Sequence, residues 1–113
     1  MSMIDLSKEG EVAVARLQMK RLDAANALAF KEAMVERIQA GEQRLVLDME
    51  GVDFVDSSGL GALVSVLKAL GGKGAVVICN VRGNVQNLFK LTRMDKVFAI
   101  LPSRDEAVQR ARG

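Results

Sequence analysis

Histidine is absent from this sequence, cysteine occurs once, at Cys79, and no apolar stretch reaches the length of a membrane span. Each absence removes a class of function. Without histidine the chain has neither the commonest metal ligand nor the usual general base of hydrolytic catalysis. A lone cysteine excludes an internal disulfide and any Cys-x-x-Cys metal or redox pair. Crossing a bilayer takes roughly 20 consecutive apolar residues, and the first residues show none of the charged and apolar regions of a signal peptide. A cytoplasmic location without membrane attachment is therefore expected. Charge of one sign is scarce as well: 16 basic residues against 14 acidic ones leave a formal +2, too little to form a nucleic-acid footprint. No Gly-x-x-x-x-Gly-Lys phosphate loop occurs, so no nucleotide cofactor is expected, and no metal. Enzymatic chemistry is not expected.

What is present is apolar residue in quantity, 50% of 113 residues. That is enough for one compact core and too few residues for two ordinary domains, so residues 1–113 read as a single domain. Residues 4–17 alternate or run apolar around Glu9-Gly10, which predicts two short strands joined by a tight turn, with Val12, Val14 and Leu17 partly buried. Over residues 24–40, Phe30, Ala33, Met34 and Ile38 recur at helical spacing; Asp23 or Asn26 can cap the start, and Gly41 follows the end. Leu45-Val46-Leu47 has the signature of a central strand covered on both faces. A second helix follows Asp56, with Leu60, Leu63, Val64 and Leu67 on one face and Gly71-Gly72 as its terminator. Ala75–Cys79 repeats the buried-strand pattern. Val85, Leu88 and Phe89 mark a third helix that Asn84 can cap, and residues 97–100 predict a last strand. Ser103 and Glu106 stand at capping-box spacing before a short C-terminal helix. Two strands followed by alternating helix and strand predict an α/β fold, a mixed sheet of about five strands with about four helices packed on it.

The string Asp56-Ser57-Ser58-Gly59-Leu60-Gly61 stands where strand character gives way to helix. A hydroxyl at such a junction sits beside backbone N–H groups that have no partner within the helix, a natural seat for a phosphate. Ser57 reads as the helix cap and Ser58 as the functional hydroxyl. Glycine near a helix start weakens it by about 1 kcal/mol relative to alanine, so Gly59 and Gly61 read as room for a closely fitting partner or phosphate. Asp23 serves equally as a helix cap or as a surface acid. Cys79, the six methionines and the four phenylalanines read as core. Lys20 and Arg21 read as a solvated turn that can also meet an acidic partner.

Leu45-Val46-Leu47-Asp48 followed by residues 52–61, Val-Asp-Phe-Val-Asp-Ser-Ser-Gly-Leu-Gly, resembles the core of a STAS domain, the module shared by sulfate transporters and anti-sigma factor antagonists. Leu22-Asp23, the strand Ala75–Cys79, Leu91-Thr92 and residues 94–98 extend the resemblance over nearly the whole chain, and the Ser pair is similar to that of the free-standing bacterial antagonists. The resemblance implies a fold of STAS type and a protein that works by partner switching. Unphosphorylated, it would bind a kinase-type anti-sigma factor and free a sigma factor; phosphorylated on the second serine, here Ser58, it would let go, and a serine phosphatase would restore the hydroxyl. The resemblance places Asp23, Asp56, Ser57, Ser58, Gly59, Leu60 and Gly61 on the partner-facing surface, with ATP and magnesium belonging to the kinase. Free protein would be a monomer or weak dimer. Many antagonists carry Gly-Glu where this chain has Lys20-Arg21.

Two other functions compete. Serine hydrolases also set a serine at a strand-to-helix turn, but the Gly-x-Ser-x-Gly pattern and a histidine base are both missing here. An accessory or scaffold subunit of a lipid-transport or stress-sensing complex would share the fold, and fold alone does not fix the role.

Overall fold

The computed structural model describes residues 3–113. Strands β1 (Ile4–Glu9) and β2 (Val12–Leu17) form an antiparallel hairpin, turned at Gly10 with a φ of 65°. Next come β3 (Arg21–Leu22), helix α1 (Ala27–Gln39), β4 (Arg44–Asp48), β5 (Phe54–Val55) and α2 (Ser57–Leu70). The remainder is β6 (Ala75–Cys79), α3 (Gly83–Leu91), the single turn α4 (Met94–Val97), β7 (Ala99–Leu101) and α5 (Arg104–Arg112). The main sheet has five strands in the order β1-β2-β4-β6-β7, with every pairing after the hairpin parallel. β3 and β5 stand apart as a two-stranded parallel ribbon.

Strand alternation sorts the apolar residues into two cores. Ala13, Ala15, Leu17, Leu45, Leu47, Val76 and Ile78 face α1, α2 and α3, meeting Phe30, Met34, Leu63, Val66 and Phe89. Residues of the opposite parity, Val12, Val14, Val46, Val77 and Cys79, face α5 through Ala107, Val108 and Ala111. Helices on both faces explain why β4 and β6 read as unbroken apolar runs instead of alternating ones. Each such side chain contributes about 1.5–3 kcal/mol when fully buried. Val12, Val14 and Leu17 are accordingly buried outright, not partly.

Helix α5 is held at both ends. Ser103 Oγ accepts the Glu106 N–H at 3.2 Å and donates to Glu106 Oε2 at 3.0 Å, so the box closes between side chains. Arg104 donates to Glu9 Oε2 at 3.1 Å and Ser7 Oγ at 2.9 Å, while Arg44 Nη1 donates to the carbonyls of Ala111 at 2.7 Å and Arg112 at 2.9 Å. The latter bonds place a cation at the negative end of the helix, as its dipole favours.

Several boundaries differ from those the sequence predicts, each for a local reason. Helix α1 begins at Ala27, not at residue 24, because Asn26 spends its side chain on the Arg21 carbonyl at 2.7 Å and the Asp23 N–H at 3.0 Å. Helix α2 turns Gly59, Ala62, Leu63, Val66 and Leu70 inward, while Leu60, Val64 and Leu67 flank that face half-buried. Asn84 lies inside α3, whose cap position, Arg82, makes no side-chain capping bond and turns its Nε to the Glu50 carbonyl instead. Arg93, in the left-handed region at φ 62°, ends α3 and starts α4, which takes Val97 into a helical turn and delays β7 to Ala99. The helices among the described residues thus number five.

Cys79 is fully buried. Burial, reinforced by the neighbouring Asp48 carboxylate, pushes its thiol up to about 12 from an ordinary value of 9.0. The native state therefore holds the proton where the unfolded chain has released it. The stability this contributes is complete below pH 9 and is lost as pH rises toward 12. The expected result is an alkaline loss in wild type, relative to Cys79→Ala, approaching about 1.4 kcal/mol per pH unit. Urea titrations of both proteins between pH 8 and 11 check this; parallel pH dependences would overturn it.

Candidate functional site at the start of helix α2

The ribbon β3/β5 positions the site. Arg21 pairs with Phe54 and Leu22 with Val55. At its ends the Asp53 N–H donates to the Lys20 carbonyl at 2.8 Å and the Asp56 N–H to the Leu22 carbonyl at 3.2 Å. This draws the turn before α1 against the turn before α2. Both segments leave the C-terminal ends of parallel strands, the edge at which open α/β sheets carry their ligands.

Asp56 links the two turns. Its backbone is extended, its Oδ1 accepts the Gly59 N–H at 2.9 Å as the helix cap, and its Oδ2 accepts the Ala24 N–H at 3.1 Å. The cap of α2 is therefore Asp56 and not Ser57, which occupies the first helical position. Asp and Ser cap about equally well; only the carboxylate has a second oxygen to reach Ala24. Asp23 builds its own turn: Oδ1 accepts the Ala25 N–H at 3.1 Å, Oδ2 pairs with Arg21 Nε at 3.3 Å, and its carbonyl accepts the N–H groups of Asn26 and Ala27.

Ser57 and Ser58 are both exposed. Among the described residues neither hydroxyl has a hydrogen-bond partner, and the Ser57 and Ser58 N–H groups at the positive end of α2 have none either. An exposed hydroxyl at such a place can take a phosphoryl group, and the N–H groups can bond its oxygens.

The glycines divide. A Cβ on Gly59 would stand 2.3 Å from the Leu22 carbonyl oxygen and 2.9 Å from Val55 Cγ1, whereas one on Gly61 would meet nothing within 4 Å. Gly59 is buried and serves the contact of α2 with the ribbon, so internal packing and not a partner explains it. Gly61 is exposed and Leu60 half-buried. Of the sequence-predicted set, Asp23, Asp56, Ser57, Ser58 and Gly61 come together on or at the surface.

Two neighbours escape that set. The Arg21 guanidinium lies 4.0 Å above the Phe54 ring, and Phe54 remains 38% exposed. Phe54 also walls a groove of about 310 Å³ shared with Val55, Asn84, Val85 and Leu88. The sequence hint was Phe54 itself, a large apolar residue directly after Asp53 and two before Asp56. Among the described residues no cluster of His, Cys, Asp or Glu could hold a metal ion, and no helix is long and apolar enough to cross a membrane.

The comparisons with known proteins bear on family and fold. An anti-sigma F factor antagonist of Paenibacillus polymyxa is 30% identical over 107 residues, covering 93% of this chain and 88% of its own. BtrV of Bordetella bronchiseptica, a candidate anti-sigma factor antagonist, is 29% identical over 87 residues, covering 76% of this chain and 75% of its own. The crystal structure of an anti-sigma factor antagonist from Mycobacterium paratuberculosis matches with a TM-score of 0.87 at 25% identity, over 97% of this chain and 93% of that one. The family model for the STAS domain matches residues 3–107, and the chain belongs to that family.

Proposed function

We propose that this protein is an anti-sigma factor antagonist that works by partner switching. Unmodified, it binds a kinase-type anti-sigma factor, which then releases its sigma factor. Phosphorylation on Ser58 by that kinase ends the binding, and a serine phosphatase resets the switch. The observation that carries this reading is the placement of Ser58: an unengaged, exposed hydroxyl on the first turn of α2, two residues beyond the carboxylate of Asp56 and beside the turn of Asp23. The relatives named as anti-sigma factor antagonists supply the partner class.

The physics of release is electrostatic. A phosphate adds about −1.5 to −2 charges. In the free protein, water screens it from Asp23 and Asp56. When a partner closes over the surface that water leaves, the phosphate must be desolvated, and its repulsion from the carboxylates grows. Two unit charges about 8 Å apart repel by roughly 2 kcal/mol at an effective dielectric near 20, and about 1.4 kcal/mol is tenfold in affinity. The fold need not change.

Titration of the cognate anti-sigma factor against wild type, Ser58→Ala and Ser58→Asp tests the scheme. Ser58→Ala is expected to bind like wild type, and Ser58→Asp about 30-fold or more weakly. Equal affinities of the Ala and Asp variants would overturn the switch and favour a scaffold role.

A further inference from the structure

We infer that Arg21 and Phe54, together with the groove beside them, form a second contact on the partner-facing surface, which receives an acidic side chain of the anti-sigma factor next to an apolar one. This deepens the reading of Ser58 above and rests on it. The Arg21 side chain is 59% exposed, its guanidinium is stacked 4.0 Å over Phe54, and its Nε is engaged with Asp23 at 3.3 Å. Nη1 and Nη2 have no partner among the described residues. Stacking and the Nε contact hold the planar fork in place, so little freedom remains to be lost when a carboxylate arrives. The geometry suits bidentate pairing with an acid.

The apolar half lies alongside. Val55 and Val85, 5% and 1% exposed, line the groove, with Phe54 and Leu88 among its other walls. Leu91, three residues along α3 from Leu88, is 83% exposed and extends the strip, since side chains at that spacing share a helix face. Helix α3 contains Lys90 and no acid. The acids on the ribbon side are Asp23, already engaged with Arg21, Asp56, whose oxygens accept the Gly59 and Ala24 N–H groups, and the exposed Asp53. The contact is continuous with the switch, because Arg21 bonds Asp23 and the strand that carries Phe54 runs into the Asp56 cap. An acidic partner residue at Arg21 would also set orientation and speed encounter.

The test uses the full chain and the cognate anti-sigma factor, with Arg21→Glu, Arg21→Lys and Leu91→Glu beside wild type and Ser58→Asp. Arg21→Glu is expected to lose roughly 10- to 100-fold in affinity, Arg21→Lys less, and Leu91→Glu several-fold. Melting temperatures should match wild type, since both side chains are exposed. Wild-type affinity in Arg21→Glu and Leu91→Glu, with binding still abolished by Ser58→Asp, would overturn this inference and leave the switch intact. Failure of wild type to bind, or equal binding by Ser58→Ala and Ser58→Asp, would instead overturn the reading beneath it. Sedimentation at high protein concentration adds one more arm. If Leu91→Glu abolishes self-association without altering kinase affinity, the groove belongs to a second copy of the chain and the inference falls.

Discussion

Gly59→Ala is expected to destabilise the protein by about 2–3 kcal/mol, whereas Gly61→Ala, two residues along the same helix, should stabilise it by about 0.5–1 kcal/mol. The contrast follows from what a new Cβ meets. At Gly59 it would stand 2.3 Å from a backbone oxygen of the ribbon, that of Leu22, and ribbon and helix would have to separate to admit it. The Leu22 oxygen also accepts the Asp56 N–H, so the shift would loosen the cap as well. At Gly61 the added methyl enters open space, and alanine's better helix propensity is all that remains. Thermal unfolding of both variants checks this, with a fall of roughly 10 °C expected for Gly59→Ala. An unchanged melting temperature there would mean that α2 does not press on β3 as described. Because Gly61→Ala keeps the fold, any affinity it loses for the anti-sigma factor reports how closely the partner approaches.

Asp56→Ala is the second large effect, at about 2–3 kcal/mol. Losing a helix cap costs about 1 kcal/mol, and a hydrogen bond to a charged group contributes about 1.5–3 kcal/mol. Asp56 provides both, to Gly59 and to Ala24. Asp56→Asn should fall between the two, since its single carbonyl oxygen must serve either Gly59 or Ala24. Urea denaturation measures the totals, and amide exchange separates the contacts. In Asp56→Ala the amides of Ala24 and Gly59 should both lose protection; in Asp56→Asn one should lose more than the other. Wild-type stability in Asp56→Ala would exclude the linking role. The same variant weakens the turn that presents Asp23, so its effect on partner binding mixes charge with order and needs the Asn variant as control.

The elements most legible in the sequence were those whose residues answer to one local rule. Leu45-Val46-Leu47 and Ala75–Cys79 read as covered strands because both sheet faces are in fact covered. Ser103 and Glu106 read as a cap because the bonds involved span three residues. Where two rules compete, tertiary contact decides. Ser57 read as the cap of α2, but the Ala24 N–H, far away in sequence, requires a second oxygen that Asp56 has and a serine lacks. Asn26 stands at the cap position of α1 but makes no capping bond, because its Oδ1 accepts the Asp23 N–H instead. The ribbon β3/β5 was invisible because strands of two residues each carry no periodicity, and with it went the reason for Gly59 and the stacking of Arg21 on Phe54. The resemblance to the family located Asp23, Asp56 and the Ser pair; it did not show which of them hold the fold together.

Helix α5 has a consequence of its own. Among the described residues, its nine residues, of which Ala107, Val108 and Ala111 point inward, screen a ridge of valines contributed by β2, β4 and β6, with Ala99 and Leu101 packed at its side. A protease that cut ahead of Arg104 would leave Ser58 and both flanking turns untouched while baring that ridge to water, and bared ridges of this kind drive clumping. Such a fragment would keep the start of α2 intact yet be prone to precipitate. The grip of Arg44 on the last carbonyls of this helix therefore keeps that ridge covered, independently of anything that happens at the start of α2.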